Sequence, residues 1–209
     1  MKLFLTSSTI TPELVKLFEE LANTSIKNLK CVFLPDAAYG VPDSKDISWV
    51  DGERQYLIDN FNWKVTDLVL RDIDEVDPEY LSGSDVIFVN GGFSGYLAKE
   101  MRRTGFDKAL PTALEEGVVY VGSSAGSMVC SKTQNAAEFY INEPEEGASA
   151  IPGLALVDFE IYPHFNENIK EEIESLWKKG SLYLLKDGEA IVVNNGVVTV
   201  LGEERVISK

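Results

Sequence analysis

Cysteine is nearly absent from the chain. Its 209 residues include two, Cys31 and Cys130, too few for a disulfide framework and not spaced like metal ligands. Histidine is scarcer, with His164 alone, so any imidazole chemistry must be done there. No apolar run approaches the ~20 residues that span a bilayer. The opening Met1-Lys2-Leu3-Phe4-Leu5 passes straight into Thr6-Ser7-Ser8, which is shorter than the apolar core of a signal peptide. A cytoplasmic location is expected. Basic residues are also in deficit, 19 Lys and Arg against 34 Asp and Glu, for a net charge of −15. A surface of that sign repels phosphate backbones and anionic lipid, which argues against nucleic-acid and membrane partners.

What is present fits a soluble globular protein: 44% apolar and 25% charged residues, with no repeat, linker or low-complexity tract. Length favours one domain over residues 1–209. Apolar runs at Leu3–Ser7, Cys31–Leu34, Val65–Leu70, Asp85–Val89 and Val118–Val121 alternate with helical patterns. The helical patterns open at Thr11-Pro12, run from Ile47 to Phe61, and run from Ser94 to Glu116 with breaks expected near Gly105 and Pro111. Continuous apolar strands separated by helices predict an α/β fold, a mostly parallel sheet covered by helices on both faces. A sixth strand is expected at Leu154–Tyr162 and a helix at Glu167–Lys179. Asn195-Gly196, between Ile191-Val192-Val193 and Val197–Val200, predicts a C-terminal β-hairpin.

Ligands of open parallel sheets bind beyond the carboxyl ends of the strands. Two of these ends are glycine-rich, Asn90-Gly91-Gly92 and Gly122-Ser123-Ser124-Ala125-Gly126. The second matches G-x-S-x-G between a strand and a helix, the context of a nucleophile elbow. Small residues two positions either side let Ser124 sit on a tight turn, and the following helix start favours a developing oxyanion. The same segment would also serve as a plain turn or a phosphate cradle. Neither loop gives G-x-G-x-x-G with a downstream acid, so a dinucleotide site is not expected. A serine nucleophile needs a base, and His164, in Tyr162-Pro163-His164-Phe165, follows the sixth strand towards the same sheet edge. The base in turn needs an acid. Asp187 and Glu189, in Lys186-Asp187-Gly188-Glu189, are candidates, and Glu138, Glu143, Glu145, Glu146, Asp158 and Glu160 lie upstream of the histidine.

Taken together, Gly91-Gly92, the Ser-Ala-Gly elbow, Pro163-His164-Phe165 and the acid of the Asp187-Gly188 turn resemble the peptidase E family, serine peptidases that include α-aspartyl dipeptidase and, more distantly, cyanophycinase. The resemblance runs through almost the whole chain in order. It implies a fold like that of class I glutamine amidotransferases, with serine in place of their cysteine. It further implies Ser124 as nucleophile, His164 as general base, and Gly92 and Ala125 as oxyanion donors. By the same resemblance Asp187 is the preferred acid, with Glu189 and then Glu138 behind it. Two departures stand out. Phe93 follows Gly92 where the family has Asn, and the segment after His164 holds no arginine to meet an acidic substrate side chain. Lys170 is the only cation close by, and it is a poorer bidentate partner for carboxylate.

The expected function is therefore a serine peptidase acting on dipeptides or short peptides, N-terminal aspartyl ones among them, with Phe93 and Lys170 as candidate substrate contacts. No metal or organic cofactor is required. The expected partner is a small peptide substrate, and a homodimer remains open. An esterase or amidase using the same triad is one alternative, and a non-catalytic binding module on the same fold is another. Activity is expected to fall on acidification, as the imidazole takes up a proton.

Overall fold

Residues alternate between two apolar layers along each central strand. The computed structural model describes residues 1–41, 46–141 and 143–209. In chain order, β1 (Lys2–Thr6) is followed by a 3-10 turn at Pro12–Leu14 and by α1 (Val15–Ala22). Thr11 stands at the N-cap of this turn, where the sequence pattern opens, but its side chain makes no capping hydrogen bond. Next come β2 (Lys30–Leu34), α2 (Ser48–Phe61), β3 (Lys64–Asp67), α3 (Pro78–Ser82) and β4 (Val86–Val89). α4 (Ser94–Arg103) and α5 (Phe106–Glu115) divide at Gly105. Contrary to expectation, Pro111 lies inside α5 and does not break it; a proline there removes one N–H and thus one helical hydrogen bond.

The chain continues through β5 (Val119–Ser123), α6 (Ala125–Met128), α7 (Asn135–Glu138), β6 (Glu160–Tyr162), α8 (Lys170–Leu176), β7 (Ser181–Leu184), β8 (Ala190–Asn194), β9 (Val197–Leu201) and β10 (Val206–Ser208). The main sheet has seven strands in the order β3-β2-β4-β5-β1-β8-β9. Its first five are mutually parallel, while β8 pairs antiparallel with β1 and β9 antiparallel with β8. On one face Leu3, Leu5, Ile87, Val89 and Tyr120 pack against Leu97 and Met101 of α4 and Phe106 and Leu110 of α5. On the other, Phe4, Phe88 and Val121 meet Phe18 of α1 and Val50, Leu57 and Phe61 of α2. Helices therefore cover both faces, as the apolar runs predict. The β8–β9 hairpin turns at Asn195 and Gly196, both at positive φ.

Two strands are shorter than expected. The third ends at Asp67 because the Leu70 and Arg71 N–H groups go to the buried Asp36 carboxylate, 3.0 Å from each. The sixth begins at Glu160, since the Leu154 and Leu156 N–H groups donate to Val129 and Cys130 carbonyls. β6 belongs to a second, three-stranded sheet ordered β10-β7-β6. That sheet packs over its own core of Tyr162, Phe165, Ile173, Trp177 and Leu184, with Met128 of α6 beside it. The β6–β7 pairing brings the segments that follow these strands, 163–165 and 185–189, side by side. Among the described residues no helix is long and apolar enough to cross a membrane.

Candidate active site

Ser124 is the single residue between β5 and α6, at φ 50° and ψ −111°. This region is costly for a residue with a Cβ, on the order of 1–3 kcal/mol. Its backbone is held on both sides. The Ser124 N–H donates to Thr6 O at 3.2 Å, and its carbonyl accepts from Ser127 and Met128 at 2.8 and 3.0 Å. The turn closes only because the flanking glycines lack side chains. A Cβ on Gly126 would stand 2.1 Å from the Val89 carbonyl oxygen, and one on Gly122 would stand 2.5 Å from that of Gly126.

His164 also sits at positive φ, 53°. Two hydrogen bonds strap its segment to the one after β7: Phe165 N–H to Leu185 O at 2.9 Å, and Leu185 N–H to Tyr162 O at 3.0 Å. As a result His164 Nδ1 lies 2.7 Å from Asp187 Oδ1, and Nε2 lies 3.0 Å from Ser124 Oγ. A proton on Nδ1, donated to the carboxylate, leaves the Nε2 lone pair to accept from the serine hydroxyl. The His164 and Asp187 side chains are 41% and 62% exposed, so solvent screens the pair but the imidazole is open to a substrate.

Asp187 is thus the acid that reaches the imidazole. Glu189 turns to Arg205 Nη1 at 2.8 Å and accepts the Lys186 N–H at 2.8 Å. Glu138 accepts the N–H groups of Gly147 and Ser149 at 3.0 and 2.8 Å, and these bonds, Ser149 first, hold its carboxyl below the usual range. Glu160 caps α7 through the Ala136 N–H at 2.7 Å. Glu145 takes the Gly95 and Tyr96 N–H groups at the start of α4, 2.8 and 2.6 Å away.

The candidate oxyanion donors flank the serine. The Gly92 N–H has no acceptor among the described residues. Gly92 has φ +130°, and a Cβ there would lie 2.2 Å from Ala37 O, so only glycine fits. Ala125 is the first residue of α6, where a helix leaves the N–H without an intrahelical partner. A cleft of about 410 Å³ opens over Ser124 and His164, with Gly92, Phe93, Asn90 and Ser8 in its wall, while Ala125 is buried directly behind Ser124 in the chain. Lys170 does not line this cleft; it is exposed at the start of α8.

Ser7 was not singled out from the sequence. It is fully buried, accepts the His164 N–H at 2.7 Å and donates to Asp187 Oδ1 at 2.9 Å, with Leu185 O a second acceptor at 3.2 Å. The only trace in the sequence is a run of hydroxyl side chains, Thr6-Ser7-Ser8, where the first strand ends. The two thiols lie apart from this chemistry. Both are buried, and burial pushes Cys130 up to about 12 and Cys31 higher still. Among the described residues no three His, Cys, Asp or Glu side chains converge as metal ligands would.

The family model for Peptidase family S51 matches residues 3–201. The chain belongs to peptidase family S51. It is a serine-type peptidase with relatives named peptidase E. An uncharacterized peptidase of Listeria monocytogenes, Lmo0363, is 28% identical over 203 residues, which cover 91% of this chain and 93% of that one. Peptidase E of Streptomyces coelicolor is 36% identical over 86 residues, 41% of this chain and 34% of its own. The crystal structure of a Listeria monocytogenes protein described as a candidate peptidase E superposes with a TM-score of 0.74 over 96% of this chain and 97% of that one. At 24% identity, that likeness is one of fold.

Proposed function

We propose that this S51 peptidase hydrolyses dipeptides or short peptides through an acyl-enzyme, with Ser124 as nucleophile, His164 as general base and Asp187 as the group that orients it. The observation that carries this reading is the unbroken chain Asp187–His164–Ser124, with links of 2.7 and 3.0 Å, of which His164 and Ser124 line the cleft. The Ser124 hydroxyl attacks the scissile carbonyl while His164 Nε2 takes its proton. Asp187 stabilises the imidazolium that forms. The Gly92 and Ala125 N–H groups receive the oxyanion, a contribution of about 3 kcal/mol per donor in comparable enzymes. His164 then protonates the leaving amine, and water attacks the acyl-serine by the same route. A cleft of about 410 Å³ falls in the range of small-molecule sites, which favours short peptides over folded chains.

The test is hydrolysis of Asp-Leu, Ala-Leu and Lys-Leu by the wild type and by Ser124→Ala. The proposal expects cleavage of at least one dipeptide by the wild type, with a loss of about 10³-fold or more in the variant. Equal rates in the two proteins, or no cleavage of any dipeptide, would remove it.

A further inference from the structure

The charge around the cleft is one-sided. Among the described residues its lining holds no Lys or Arg, while Glu53, Glu143 and Glu145 all contribute to its wall. These acids are not equivalent. Both oxygens of Glu145 are taken by the Gly95 and Tyr96 N–H groups, so its charge complements the start of α4. Glu53, on α2, has one hydrogen bond, from the Thr9 hydroxyl at 2.5 Å, and its second oxygen has no partner among the described residues. Burial raises its carboxyl above the ordinary range, with the Thr9 bond opposing. Such a carboxylate is under-solvated and has no counter-ion among the described residues.

The same wall carries an exposed aromatic ring. Trp49 stands one helical turn before Glu53, on the same face of α2, and remains 43% exposed within the cleft lining. An aromatic face beside an unpaired carboxylate suits an alkylammonium or guanidinium group, which gains from ring quadrupole and charge together. A separate observation points to a ligand in this cleft. Asn90 and Ser94 line it and are 2% and 1% exposed, yet Asn90 Nδ2 and Ser94 Oγ have no hydrogen-bond partner among the described residues. Buried donors of that kind are rarely left unpaired, and a peptide carbonyl or carboxylate would satisfy them.

We infer that the cleft selects cationic peptides: Glu53 and Trp49 seat a positively charged group of the substrate while Asn90 and Ser94 hold its acceptor atoms. The inference rests on reading the cleft as the peptide-binding site. The cation is either the substrate's α-ammonium group or a Lys or Arg side chain beside the scissile bond. Among the described residues an aspartyl side chain would meet three carboxylates there and no basic one, which is the reverse of aspartyl selectivity.

Binding to the full-length Ser124→Ala protein tests the inference without turnover. Isothermal titration would compare Lys-Leu, norleucyl-Leu, Nα-acetyl-Lys-Leu, N-acetyl-norleucyl-Leu and Asp-Leu. The proposal expects Lys-Leu to bind about tenfold or more tighter than the doubly uncharged N-acetyl-norleucyl-Leu, with Asp-Leu weaker than norleucyl-Leu. Adding Glu53→Gln should shrink the advantage to about threefold or less. Whether norleucyl-Leu or Nα-acetyl-Lys-Leu retains the advantage identifies the cation as main-chain or side-chain. Equal affinities, tightest binding of Asp-Leu, an advantage that survives Glu53→Gln, or no binding by the folded protein would each overturn it. Wild-type hydrolysis, measured in parallel, reads the peptidase proposal separately. Cationic selectivity without hydrolysis would sink the mechanism alone, and hydrolysis without selectivity would sink the present inference alone.

Discussion

Replacing Ser7 by alanine removes one hydroxyl that serves two neighbours. The His164 N–H loses its acceptor at 2.7 Å, and Asp187 Oδ1 loses a donor at 2.9 Å. A buried donor left unpaired costs about 1–3 kcal/mol. Asp187 is 62% exposed, so water replaces most of what the carboxylate loses, and the His164 N–H sets the size of the effect. That N–H also helps hold His164 at φ 53°, a conformation that persists only while its surroundings impose it. Freed of it, the imidazole samples positions outside the 3.0 Å reach of Ser124 Oγ. About 1.4–2.8 kcal/mol of transition-state stabilisation corresponds to a ten- to hundredfold fall in kcat. Ser7 does not line the cleft, so KM should hold within about twofold. The assay is steady-state hydrolysis of the best dipeptide, with a melting curve to show that the variant is folded at assay temperature. An unchanged kcat with a lowered Tm would mean that Ser7 only packs, and a raised KM with unchanged kcat would place it in substrate binding. Either result refutes the positioning argument.

Four further outcomes are expected. Asp187→Asn should lower kcat by about 10³–10⁴-fold with little change in Tm, since it leaves the imidazole in the wrong tautomer. Glu189→Gln should do the opposite: it breaks a largely buried pair with Arg205, costing about 3 kcal/mol and therefore roughly 6–12 °C in Tm, and a thermal melt beside the activity assay separates the two acids. The advantage of Lys-Leu over N-acetyl-norleucyl-Leu should be lost as the medium is acidified below neutrality, and at a higher pH than an ordinary glutamate would give, because burial raises the Glu53 carboxyl; an advantage that persists until ordinary carboxyls are protonated would show that Glu53 is not the anion involved. Neither Cys31 nor Cys130 should react with an aromatic disulfide reagent at pH 8 until the protein unfolds, given their burial and raised thiol values.

The main sheet was legible because its central strands are covered on both faces and so read as uninterrupted apolar runs, as in Val86–Val89 and Val119–Val121. The elbow was legible for a steric reason: a Cβ on Gly126 would stand 2.1 Å from the Val89 carbonyl oxygen, so the position takes only glycine. What local pattern could not reveal were contacts made by distant side chains. The third strand stops because Asp36, more than thirty residues away, takes the N–H groups of Leu70 and Arg71. Leu154 and Leu156 look like strand residues, but their N–H groups serve the segment after α6. The acid was ambiguous for the same reason. Asp187 and Glu189 are two residues apart in one turn, and Arg205 draws Glu189 away from the imidazole. Ser7 escaped notice because a serine at a strand end is commonplace until the histidine and the aspartate are seen around it.

The most direct test of the account is mass spectrometry of the intact protein after treatment with a fluorophosphonate, which reports an activated serine whatever the substrate. The account predicts one adduct per chain, located on Ser124, lost in Ser124→Ala and strongly slowed in His164→Ala. No adduct on the folded wild type, or labelling that persists in Ser124→Ala, would contradict it.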